Sequence, residues 1–162
     1  MAKNTIKLKK YSDVIEELVA ASAITPGMLV EEDSNGEVKA HASSGQNALP
    51  MFALEDELQG NGIDDDYSAD DPVQVWIPYR GDQVYTILAD GENVSIGDFL
   101  ESNGDGYLKK HVADTWESAD TGTIYTNQIV AVALEALDLS GSSGEEDSGA
   151  LGYNKRLMVR VV

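Results

Sequence analysis

Short apolar runs broken by Gly-, Asn- and Asp-rich punctuation set the pattern of this chain. Val73-Gln74-Val75-Trp76-Ile77 and Gln83-Val84-Tyr85-Thr86-Ile87-Leu88 are β-branched and aromatic, and both are too short for a buried helix. The runs Met28–Glu32, Glu37–His41, Asp98–Ser102, Tyr107–His111 and Leu157–Val162 have the same character. The breaks carry turn chemistry: Asn35-Gly36, Asp90-Gly91 and Asn103-Gly104-Asp105-Gly106. Ile129–Leu137 is rich in Ala and compatible with either state. Its likeness to Pro50–Glu55, which opens on Pro, favours a strand. About nine strands at short spacing predict an all-β barrel or sandwich.

The runs also repeat. Residues 24–41 (ITPGMLVEEDSNGEVKAH) and 94–111 (VSIGDFLESNGDGYLKKH) align without a gap. Gly27 matches Gly97, Glu31 matches Glu101, Gly36 matches Gly106, Lys39 matches Lys109 and His41 matches His111. Farther on, Asn47–Glu55 (NALPMFALE) resembles Asn127–Glu135 (NQIVAVALE), and an acidic, Gly-rich loop follows each. Self-similarity of this kind predicts two tandem related β units, 24–78 and 94–162, inside a single β domain over 24–162. What repeats is scaffold, without a catalytic constellation.

Residues 1–23 stand apart as an N-terminal arm. Positions 1–10 are polar and basic. Positions 12–21 (SDVIEELVAA) fit a short helix capped by Ser12, with Val14, Ile15, Leu18 and Val19 as its stripe, or an extended segment lying along a neighbour.

Composition sharpens this picture. A chain of 162 residues reads as one domain large enough to form a core without staples, and it contains no Cys. The start, Met-Ala-Lys-Asn, lacks the long apolar segment of a signal peptide, and no run approaches the length of a membrane span. The net charge of −18 is unevenly spread: all 29 acidic residues lie between positions 11 and 150, alongside only four basic ones. Such a body repels nucleic acid and stays soluble. The basic arm, with Lys7, Lys9, Lys10 and the adjoining Tyr11, is the candidate contact to an acidic partner surface.

Candidate chemistry is thin. Glu101–Gly106 imitates the start of a calcium loop, but the closing Glu position is Val112 and two lysines intervene, so a hairpin turn is the better reading. Asp64, Asp65, Asp66, Asp70 and Asp71 can solvate a loop or hold a cation, and a hydrolytic site there would need further ligands. His41 and His111, the two histidines, sit at matched strand ends and read as structural. There is no nucleophile elbow and no phosphate-binding loop. Phe52, Trp76, Tyr79, Tyr85 and Phe99 lie on strand runs and suit core or inter-subunit packing. The expectation is a protein that is no enzyme and takes no cofactor or metal.

The strings PMFALEDELQGNGIDDDYSADDPVQVW, DQVYTILADGENVSIGDFLESNGDGYLKKH and NQIVAVALEALDLSGSS resemble the capsid decoration, or cement, proteins of tailed bacteriophages, most closely from Ile24 to Ser143. The resemblance implies a β-rich protein made in the host cytoplasm and carried on the outer capsid surface of the virion. There it would bind the major capsid protein as a homotrimer and stabilise the expanded shell, with no nucleic acid or membrane as partner. It names no contact residue. An alternative on sequence grounds is a carbohydrate- or surface-binding adhesion module, displayed on the particle through its acidic loops, whose glycan binding would be lost on changing Trp76 or Tyr79.

Overall fold

The structure, a computed structural model, describes residues 4–10, 14–113, 123–142 and 155–162. Among these there are thirteen strands and no helix: β1 (Lys7–Lys9), β2 (Ile15–Val19), β3 (Val30–Glu32), β4 (Val38–Ala40), β5 (Phe52–Ala53), β6 (Pro72–Trp76), β7 (Gln83–Ile87), β8 (Asn93–Val94), β9 (Phe99–Ser102), β10 (Leu108–Lys110), β11 (Ile129–Ala133), β12 (Leu137–Asp138) and β13 (Arg156–Val161). The all-β expectation holds, with more and shorter strands than the sequence pattern separates.

Four antiparallel sheets result. The largest runs β1-β7-β13-β11-β9-β10, and the others are β2-β6-β5, β3-β4 and β12-β8. Single parallel bridges curl the runs back on themselves. Leu88 meets Leu108 beyond the end of β7, and Ala20 meets Val38 beyond the end of β2. One apolar cluster lies inside, and Trp76, Phe52, Leu29, Leu100 and Leu108 are among its fully buried members. In β6 and β7 the first four positions alternate, with Val73, Val75, Val84 and Thr86 buried at the strand period of two, and the last residues, Trp76 and Ile87, are buried as well.

The pairings recur along the chain. In β3–β4, Val30 faces Ala40, Glu31 faces Lys39 and Glu32 faces Val38. In β9–β10, Leu100 faces Lys110, Glu101 faces Lys109 and Ser102 faces Leu108, which is the same register residue for residue. Phe52 faces Trp76 and Ala53 faces Val75, as Val132 faces Arg160 and Ala133 faces Val159. The five pairs of β2 with β6, from Ile15↔Trp76 to Val19↔Pro72, are matched by five of β7 with β13, from Gln83↔Arg160 to Ile87↔Arg156. Bridges outside the strands follow suit: Leu29↔Phe52 corresponds to Phe99↔Val132, and Ile24↔Tyr67 to Val94↔Leu137.

The short helix considered over 12–21 is absent from the described part of that segment, where Ile15–Val19 forms β2. The physical reason is long-range. Val14, Ile15 and Val19 are β-branched, and all five positions of β2 find partners on β6. The described part of the arm is extended, and β1 pairs with β7 of the same chain. Ile6 is fully buried, its amide donates to both oxygens of the buried Glu55 at 3.3 and 3.1 Å, and the Thr5 hydroxyl donates to the same carboxylate.

Candidate partner-binding surface

The residues singled out from sequence fall at several places. Lys7 and Lys9 lie on β1, the outer strand of the six-stranded sheet, and exposed Lys10 follows them. Tyr11 lies outside the described residues. Strand β1 thus carries the basic positions along a sheet edge.

The imitation calcium loop is a hairpin turn. Glu101 is buried and bound twice, by Lys109 Nζ at 3.4 Å and by His111, which donates from Nδ1 to Oε2 at 2.6 Å. The Asp105 carboxylate accepts from the Tyr107 amide at 3.0 Å and from the Asn103 side chain at 2.8 Å. In the first hairpin Glu31 pairs with Lys39 at 3.3 Å and lies 3.6 Å from His41, and Asp33 accepts from the amides of Asn35 and Glu37. Those amide bonds hold the Asp33 carboxyl below the usual carboxylate range.

The acidic loop is used in a similar way. Asp65 accepts from the Gly62 amide and Asp71 from the Ser68 amide, both at 2.7 Å. Asp64 pairs at 2.8 Å with Arg156, whose guanidinium also donates to the carbonyls of Pro26 and Ile63. Among the described residues no three His, Asp or Glu side chains converge as a metal site. The carboxylates of this loop fold the loop and fix it to β13.

The histidines are held separately. His41 is buried, donates from Nε2 to the Asn47 carbonyl at 3.2 Å, and accepts at Nδ1 from the Ser102 hydroxyl at 2.8 Å. That second bond crosses from the first hairpin to the second, a contact that residue spacing does not reveal. The aromatics divide: Trp76 and Phe52 are fully buried, while Tyr79 and Phe99 are exposed. Trp76 therefore offers no face to a sugar.

Around Phe99 the surface opens into a cleft of about 480 Å³ that Arg80, His111, Tyr125, Asn127 and Ile129 also line. Exposed Leu49, Val112 and Ile124 lie on or beside the segments forming it. Sequence reasoning placed Phe99 on a strand but missed this cleft. The available signal was that β9 opens on a large aromatic at a position where the matched strand has Leu29.

In structure the chain is similar to the N base of the head fiber gp8.5 of bacteriophage phi29, with a TM-score of 0.52 at 13% sequence identity over 92% of this chain and 93% of that one. At that identity the likeness is one of fold. No protein-family model matches the chain, and no curated protein matches it in sequence.

Proposed function

We propose that this protein is a structural component of a phage head: two related β units in tandem, binding the outer surface of the major capsid protein shell as trimers and stabilising the expanded shell. The observation that carries this reading is the fold shared with a head fiber base along nearly the whole chain. Such a role needs a rigid body and partner surfaces, with no reaction to perform. The described side chains fit, because the clustered carboxylates and both histidines serve turns and the contact between hairpins.

The basic edge formed by Lys7, Lys9 and Lys10, with Tyr11, is the proposed shell contact. A ligand that binds only the expanded shell stabilises that state by mass action, by about 2.7 kcal/mol at a hundredfold excess over its Kd. Purified protein added to expanded heads that lack it is expected to raise the temperature or osmotic shock at which they rupture. Equal rupture with and without bound protein overturns the reading.

A further inference from the structure

We infer that copies of this chain join head to tail, the first hairpin turn of one copy (Asp33–Glu37) seating against Phe99 and His111 of the next. The inference rests on the trimeric reading above and names its interface.

The argument begins with a contact inside the chain. The turn between β9 and β10 reaches back onto the first half. The Leu29 amide donates to the Gly106 carbonyl at 2.8 Å, and the Gly106 amide donates to the His41 carbonyl at 3.2 Å. Ser102 on the same hairpin bonds His41. Leu29 is left with 0% exposure. By the matched registers, the counterpart of Leu29 is Phe99, that of His41 is His111, and that of Gly106 is Gly36.

Among the described residues both counterparts are vacant. Phe99 is 51% exposed at the mouth of the cleft. A Cβ built on Gly36 meets nothing within 4 Å, whereas one on Gly106 meets Ala40 Cβ at 3.0 Å and Met28 Cγ at 3.1 Å. The described residues therefore show one filled socket, one empty socket and one unused plug. A two-fold relation between the halves would already have brought Gly36 onto Phe99. The relation is directional, and a directional contact repeated between copies closes into a ring or runs on as a filament.

Closure is favoured by Asn47 and Asn127, which are counterparts of each other and touch. The Asn127 amide donates to Asn47 Oδ1 at 2.9 Å, and the Ala48 amide donates to the Asn127 carbonyl at 3.0 Å. Counterparts that meet lie near a rotation axis. Three copies then place six related hairpins around it. Charge agrees, since the turn carries Glu32, Asp33 and Glu37, and the empty socket presents Arg80.

The test is cross-linking. The chain has no Cys, so Gly36→Cys and Lys110→Cys introduce the only thiols, at the counterparts of Gly106 and Ala40. A contact of that kind needs to widen by only about 0.5–0.8 Å to reach disulfide geometry. Oxidised in solution, the double variant is expected to give a ladder that stops at three copies. A mixture of the two single variants is expected to stop at two, and Gly36→Cys alone to give one. No ladder, a ladder running past three, or dimers from Gly36→Cys alone overturns the ring. As a second readout, Phe99→Glu is expected to sediment as a monomer with an unchanged circular dichroism spectrum, and an undiminished oligomer overturns the proposal. Shell binding by a chain that fails to cross-link would remove this interface and leave the head role standing, and a cross-linked ring indifferent to shells would do the reverse.

Discussion

Gly106 and Gly91 share a left-handed backbone, with φ of +84° and +79°, yet only one of them is hemmed in. An L side chain in that conformation costs roughly 1–2 kcal/mol at either site. At Gly106 the added Cβ also presses on Ala40 and Met28, while at Gly91 it enters open space. Overpacking adds about 1–3 kcal/mol. Gly106→Ala is therefore expected to lose about 2–5 kcal/mol in urea unfolding and Gly91→Ala only the backbone part; equal losses would mean that the hairpins do not touch as described. Tyr67 gives a pH signature. Burial, the largest influence, pushes its phenol up to about 12, and its hydroxyl donates to the Leu54 carbonyl at 2.8 Å. The unfolded phenol ionises near pH 10. Its folded proton is held more tightly, so stability is complete below about pH 10 and falls as pH rises toward 12. Tyr107, also raised by burial, acts in the same direction. Tyr67→Phe is expected to cost about 1 kcal/mol at pH 7, with the gap to the parent narrowing above pH 10 in thermal melts. Turn glycines are legible in sequence, because few other residues tolerate their φ. What each glycine touches is not legible, because the neighbours of Gly106 lie in the other half of the chain.

Among elements, β1 and β2 show where local pattern stops deciding. Val14–Val19 carries both a helical stripe and β-branched side chains, and pairing with distant β6 selects the strand. The apolar runs that became β6, β7 and β13 were readable because both partners are strongly β-forming, and turn residues bound β6 and β7 on both sides. The register match of the two hairpins follows from their ungapped alignment, since the same residues must face the same way. The fate of β1 was hidden, as Lys-Leu-Lys says nothing of β7. Ile6 decides whether this strand is a loose arm or part of the body. It is fully buried and tied to Glu55 through its amide. Ile6→Ala is expected to cost about 2–4 kcal/mol of folding stability, the range of buried Ile truncations. Val19→Ala on the exposed edge of β2 should stay within about 0.5 kcal/mol. An Ile6 effect no larger than that of Val19 would detach β1 from the core. Glu16 and Glu17 keep that β2 edge charged, a common defence of a strand edge against unwanted pairing.

At the scale of the whole molecule, the acidic body and the open cleft at Phe99 bear on one question raised by the proposed function, which is how a small protein would hold a large shell. On the proposed reading each copy would meet the shell through a limited patch, and a chain of net charge −18 gains little from unspecific attraction to other acidic surfaces. Linking copies changes the arithmetic. Once one member of a ring is bound, the others bind at high effective concentration, which raises avidity by roughly 10²–10⁴ without new contacts. Phe99→Glu breaks the proposed ring while leaving β1, with Lys7 and Lys9, in place on the opposite side of β7 from β13. It is therefore expected to weaken co-sedimentation with expanded shells by at least about a hundredfold. Lys7→Glu is instead expected to weaken binding at each patch and leave the ring intact in sedimentation velocity. The two variants separate assembly from attachment. If Phe99→Glu binds shells as tightly as the parent chain, binding is one copy at a time, and the exposed aromatic needs another partner.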